Sequence, residues 1–224
     1  MDLHSIEISY VYKTLKEEFC KHRMPVVDLI EVQTGDPFKV LVTTILSART
    51  RDETTVLAAK NLFNKVSSPD DLSGLSEAQI RKLIFPVGFF REKAKHLKKL
   101  PGTLQKLFDG KIPSSVDELV LLPGVGRKTA NLVVAVAFRK PAVCVDIHVH
   151  RIFNRLGYIE TSSPLKTELE LRKTFPVKYW TTFNSYFVSF GQHTCLPVNP
   201  KCNTCPVLQY CSRVDVKTKY EPMG

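Results

Sequence analysis

The stretch Leu121-Leu122-Pro123-Gly124-Val125-Gly126-Arg127-Lys128-Thr129-Ala130 restricts what this chain can become more than any other. Apolar residues precede it (Val116, Leu119, Val120) and follow it (Leu132, Val133, Val134, Val136), so it reads as a helix, a very tight turn and a second helix. Ser115 and Glu118 have capping-box spacing and place the start of the first helix. Pro123 is expected to stop it, because proline lacks the N–H and clashes with the preceding turn. Gly124 and Gly126 allow positive φ and put no Cβ between the backbone and a partner. The second helix then opens with N–H groups pointing outward, a ready anion site, with Arg127 and Lys128 in its first turn. An ordinary connector with a solvated Arg-Lys pair fits the same residues, so the rest of the chain has to decide.

The 224 residues suffice for one large or two modest domains. Their formal charge of +10 points to a polyanionic partner, nucleic acid first and an anionic membrane second. No apolar run approaches the ~20 residues that span a bilayer, so no membrane role is expected. The N-terminus, Met1 to Glu7, has neither the basic start and apolar stretch of a signal peptide nor an Arg-rich transit pattern. These features suggest a soluble intracellular protein.

Helical signals dominate the chain. Ile6 to Phe19 carries apolar residues at helical spacing. Cys20 to Gly35 gives no clear pattern beyond the run Val26, Val27, Leu29, Ile30. Asp36-Pro37 is an N-cap followed by proline at the first helical position, and the helix after it is apolar nearly all round, hence central and buried. It runs out at Ser47-Ala48-Arg49-Thr50. Ser68-Pro69 repeats the cap signal, and Ser76 with Gln79 repeats the capping box. Pro86-Val87-Gly88-Phe89-Phe90 puts two aromatics beside a glycine turn, ahead of the most basic helix (Arg91, Lys93, Lys95, Lys98, Lys99). Ser163-Pro164 starts a later helix, and Tyr179 to Phe190 is rich in aromatics. Strand signals are nearly absent, and the fold class is all-α.

Two further features carry chemistry. Cys20 and Cys144 stand alone and are expected to be buried small hydrophobes. Cys195, Cys202, Cys205 and Cys211 follow C-x6-C-x2-C-x5-C. Four thiolates in one loop can hold zinc or a [4Fe–4S] cluster, and the looser outer gaps suit the cuboidal cluster better. Asp146 stands between the apolar segment Ala142 to Val145 and a helix that begins at Ile147 and stops at Gly157. It is an N-cap, a carboxylate working with Lys128, or both.

Leu121 to Ala130, Val145-Asp146-Ile147-His148 and the cysteine spacing together resemble the endonuclease III family of helix–hairpin–helix DNA glycosylases, over roughly Phe38 to Cys211. The resemblance implies a bilobal all-α fold. A six-helix barrel would span residues 31–140, and an iron–sulfur domain would join 1–30 to 141–224, with DNA bound in the cleft between them. It implies a [4Fe–4S] cofactor on Cys195, Cys202, Cys205 and Cys211. Lys128 matches the family's catalytic lysine and Asp146 its catalytic aspartate. A damaged base flips into the cleft. The Lys128 amine attacks the sugar C1′, Asp146 assists proton transfer, and the Schiff base leads to strand cleavage by β-elimination. The attacking amine must be unprotonated, which a helix N-terminus and partial burial would favour.

Other positions carry over from the same resemblance. Gly124, Gly126 and Arg127 would grip the phosphate strand. Arg49 matches the loop that fills the gap left by the flipped base, where relatives commonly have glutamine. Phe89 matches an intercalating wedge or is a core aromatic. His148 and Arg151 contact DNA near the lesion or pack against the barrel. The expected activity is a bifunctional base-excision-repair DNA glycosylase and abasic-site lyase for oxidised pyrimidines such as thymine glycol. The alternatives are a mismatch glycosylase for adenine or thymine, and a non-catalytic iron–sulfur DNA-binding protein. The expected partner is double-stranded DNA with damaged bases or abasic sites, bound by a monomer in the cytoplasm at the nucleoid.

Overall fold

The computed structural model of the chain describes residues 7–22 and 26–216, and no strand occurs among them. The helices are α1 (Ile8–Phe19), α2 (Val26–Thr34), α3 (Pro37–Ser47), α4 (Asp52–Phe63), α5 (Pro69–Gly74) and α6 (Glu77–Ile84). They continue as α7 (Phe90–Phe108), α8 (Val116–Leu119), α9 (Arg127–Ala137), α10 (Ile147–Leu156), α11 (Pro164–Thr174) and α12 (Phe183–His193). Ile6, the expected start of the first helix, lies outside the described residues, as does the N-terminal segment before it. No helix among the described residues is long and apolar enough to cross a membrane.

The chain divides into two compact units. One is Pro25–Ala142, and the other joins Met1–Met24 to Val143–Gly224. The sequence places the first boundary at residue 31, but α2 belongs wholly to the first unit, because Val26 and Val27 are buried with Val40 and Val136. That segment carries no capping signal, so its boundaries were not legible.

In the unit Pro25–Ala142, α3 packs against α2, α4, α7 and α9. Its all-round apolar surface is the reason: Phe38, Leu41, Val42, Ile45 and Leu46 are all buried. Its start follows the expected logic, with Asp36 accepting from the Phe38 N–H at 2.8 Å ahead of Pro37. Ser68 with Asp71 and Ser76 with Gln79 form complete capping boxes on α5 and α6. Ser115 accepts from the Glu118 N–H at 3.3 Å but donates its hydroxyl to the Glu118 carboxylate at 2.6 Å, so that box is only half formed. The helix it starts, α8, is a single turn that ends at Leu119, before Pro123 can act on it.

In the other unit, the aromatic segment forms the core. Phe153 stacks on Phe187 at 4.5 Å, and Phe175 and Phe183 meet it edge-on at 5.3 and 6.3 Å. These rings hold α10 against α12, the helix that leads into the cysteine loop. Cys144 is buried as expected, whereas Cys20 is exposed at the end of α1, where its thiol donates to the Lys16 carbonyl at 3.4 Å. The lone-cysteine rule failed there because α1 presents only Val11 and Leu15 fully to the core.

Candidate DNA-repair site

The hairpin between α8 and α9 is built on one left-handed glycine. Gly124 has φ +78°, and a Cβ on it would lie 2.8 Å from Nδ1 of His96 on the basic helix α7. Gly126 departs from expectation: its φ of −88° is extended backbone open to any residue. Its lack of a side chain matters differently, since a Cβ there would meet nothing within 4 Å. Six other helices are capped by their own Ser or Asp side chain. The glycine before α9 supplies no such oxygen. Arg127 and Lys128 occupy that turn, and Lys128 is exposed rather than partly buried.

Two loops of the same unit meet beside α7. Arg49 (φ 54°) and Phe89 (φ 56°) are both left-handed non-glycine residues. Phe89 is 62% exposed, so it is no core aromatic. The Arg49 guanidinium lies over the Phe89 ring, 5.4 Å from its centroid. Sequence reasoning missed what lies beneath them. Lys93, read from the sequence as one cation of the most basic helix, is only 6% exposed and donates to Leu46 O, Ala48 O and Thr50 Oγ1 at 2.7, 2.6 and 3.0 Å. The signal was present: Lys93 falls on the helical stripe of Leu97, Leu100 and Leu104, all fully buried.

In the other unit, Asp146 caps α10. Its Oδ1 accepts from the His148 N–H at 2.8 Å and the Val149 N–H at 2.9 Å. His148 packs so tightly on α12 that a Cβ on Gly191 would lie 2.6 Å from its Nδ1. Arg151, read from the sequence as a DNA contact or a packing residue, bonds to the neighbouring backbone. It donates to Gly191 O at 3.0 Å and to Cys195 O at 2.8 Å, because α10 runs alongside the cysteine loop. Arg155, one turn on, donates to Leu196 O at 2.7 Å, to Pro197 O at 2.9 Å and to the Cys195 sulfur at 3.4 Å.

All four cysteines of the C-terminal group line one pocket with Ile152, Leu156, Phe190 and Val207. No group of three or more His, Cys, Asp or Glu among the described residues is arranged to hold a single metal ion. A cuboidal cluster asks for something else: each iron takes one thiolate, so the sulfurs stand around a larger body than one tetrahedral ion. Burial pushes the Cys205 thiol up to about 11 and the Cys211 thiol in the same direction. Thiolates in this pocket therefore need a compensating cationic centre. The donor set, the apolar walls and the arginine on Cys195 fit an iron–sulfur cluster.

The sequence profile of the HhH-GPD superfamily of base excision DNA repair proteins matches residues 42–177. Endonuclease III of Thermotoga maritima is 44% identical over 176 residues, 79% of this chain and 83% of the relative. The chain belongs to the endonuclease III family. As a member it is a base excision repair DNA glycosylase. It spans about half the length of the chloroplastic endonuclease III homologues of Arabidopsis thaliana. A non-covalent endonuclease III–DNA complex matches its fold with a TM-score of 0.80 at 33% identity, covering 92% of this chain and 94% of the other. A thermostable thymine-DNA glycosylase matches with a TM-score of 0.81 at 26% identity, over 92% and 95% of the two chains.

Proposed function

We propose that this protein removes oxidised pyrimidines such as thymine glycol from double-stranded DNA and then cuts the strand as an abasic-site lyase. The observation that carries this reading is Lys128, exposed in the first turn of the helix that follows the glycine hairpin. The backbone of that turn and Arg127 bind the phosphate strand. The Lys128 Nζ lone pair forms the bond to C1′ as the N-glycosidic bond breaks and the base leaves with the electron pair and a proton. Ring opening gives the Schiff base. Loss of the C2′ proton then expels the 3′ phosphate. Asp146 stabilises the developing positive sugar and relays the proton, while its Oδ1 also holds the start of α10. Arg49 and Phe89 occupy the duplex where the nucleotide has left.

Cys195, Cys202, Cys205 and Cys211 would hold a [4Fe–4S] cluster, whose iron–thiolate bonds tie the loop and its exposed Lys201 in one shape. The protein acts as a monomer. Its charge of +10 makes affinity fall steeply with salt as counterions are released.

The test is borohydride trapping on duplexes carrying thymine glycol, an abasic site or a G·T mismatch. A covalent adduct is expected on the first two and absent in Lys128→Ala. An adduct that survives the substitution removes Lys128 as the nucleophile. The fold match to a thymine-DNA glycosylase supports a second reading, mismatch excision. Base release from the G·T duplex alone, without an adduct, selects it.

A further inference from the structure

We propose that Lys93 is a positioning residue whose buried ammonium latches two loops together, so that Arg49 and Phe89 meet DNA as one preassembled wedge. This rests on the reading of those two residues given above.

The latch has three ends. Leu46 O and Ala48 O lie at the C-terminal end of α3, where helix carbonyls lack partners within the helix and the dipole favours a cation. The third end is the Thr50 hydroxyl, which also accepts from the Gly88 N–H at 3.0 Å. One oxygen thus joins the turn after α3, the turn before α7 and the lysine beneath both. The two turns touch so closely that a Cβ on Gly88 would lie 2.4 Å from the Arg49 carbonyl oxygen. Gly88 is therefore fixed by the neighbouring loop, since its own φ imposes nothing.

The chemistry of the group fits the task. An ammonium has three donors, and three acceptors surround it. Its partners are two carbonyls and a hydroxyl, with no carboxylate among them. A methionine or leucine on the same apolar stripe would be easier to bury. What the lysine adds is a joint between the turn after α3 and the helix that follows Phe89, through bonds spanning 43 to 47 residues of sequence. Arg49 and Phe89 are already stacked without DNA, so the cost of ordering them is not charged to binding.

The experiment uses full-length Lys93→Met and Thr50→Val. The probe duplex carries a lesion opposite 2-aminopurine, whose fluorescence reports unstacking by the wedge. The companion substrate is a single-stranded abasic oligonucleotide trapped with borohydride, which needs no strand opening. Both variants are expected to lose the fluorescence change and to raise KM on the duplex on the order of tenfold, with adduct formation on the single strand unchanged. Equal losses on duplex and single strand, or no loss on either, overturn the proposal. If Lys93→Met does not fold, Thr50→Val decides, because it keeps the ammonium and the side-chain shape; unchanged insertion in that variant overturns the latch. If the wild type forms no adduct on any substrate, the Lys128 reading fails, and the fluorescence still tests the wedge by itself.

Discussion

Gly124 lies against the side chain of His96, with room for no side chain of its own: a Cβ would sit 2.8 Å from Nδ1 and 3.0 Å from Cβ and Cγ of that histidine. Gly126, two residues on, faces open space. The two glycines should therefore fail in different ways. Gly124→Ala combines this clash with a φ of +78°, and is expected to lower stability by about 1–3 kcal/mol. Gly126→Ala should melt like the wild type yet bind DNA several-fold more weakly, because its methyl occupies the approach of the phosphate. Thermal melts and fluorescence anisotropy separate the two. Wild-type affinity in Gly126→Ala would remove this turn as a phosphate site.

Asp146 permits a similar separation. Asparagine keeps a carbonyl oxygen for the His148 and Val149 N–H groups, while alanine loses both bonds. Asp146→Ala should cost about 1 kcal/mol of stability, and Asp146→Asn much less. Both should abolish turnover while retaining DNA binding. Full turnover in Asp146→Asn would reduce the residue to a cap.

Lys93 gives a pH signature. Burial pushes its pKa from the ordinary 10.5 down to about 8. Below about 8 the folded and unfolded chains both carry the proton. Between the two values the unfolded chain binds more protons, so the stability of the wild type relative to Lys93→Met should rise with pH. Over the same window a neutral amine has two donors for three acceptors, and wedge insertion should weaken. Urea midpoints and 2-aminopurine fluorescence read the two trends, and a stability difference that fell with pH would contradict the assignment.

The cysteine loop predicts a colour. Purified protein should be brown, absorbing near ~400 nm, and Cys202→Ser should bleach it. A colourless protein carrying stoichiometric zinc would refute the cluster.

Much of this was legible in the chain because caps and glycine turns are local. Asp36-Pro37, Ser68 and Ser76 each announce a helix within four residues, and the structure keeps all three. What escaped depends on partners distant in sequence. Lys93 reads as one more cation in a basic run until α3 is placed beside it. Arg151 reads as a DNA contact or a packing residue, and nothing local announces its bonds to the carbonyls of Gly191 and Cys195, 40 and 44 residues away. The segment before Gly35 carries no capping signal, and its packing on α3, α4 and α9, with Val26 and Val27 buried, assigns it to a unit.

The left-handed backbone at Arg49 and Phe89 sets two kinds of selection against each other. Each residue holds a conformation that costs a side chain about 1–2 kcal/mol and a glycine almost nothing. A screen for heat resistance alone would drift towards glycine or asparagine at both positions, and its winners would be durable proteins with blunted tips. The arginine and the phenylalanine persist only where survival is scored by DNA left intact.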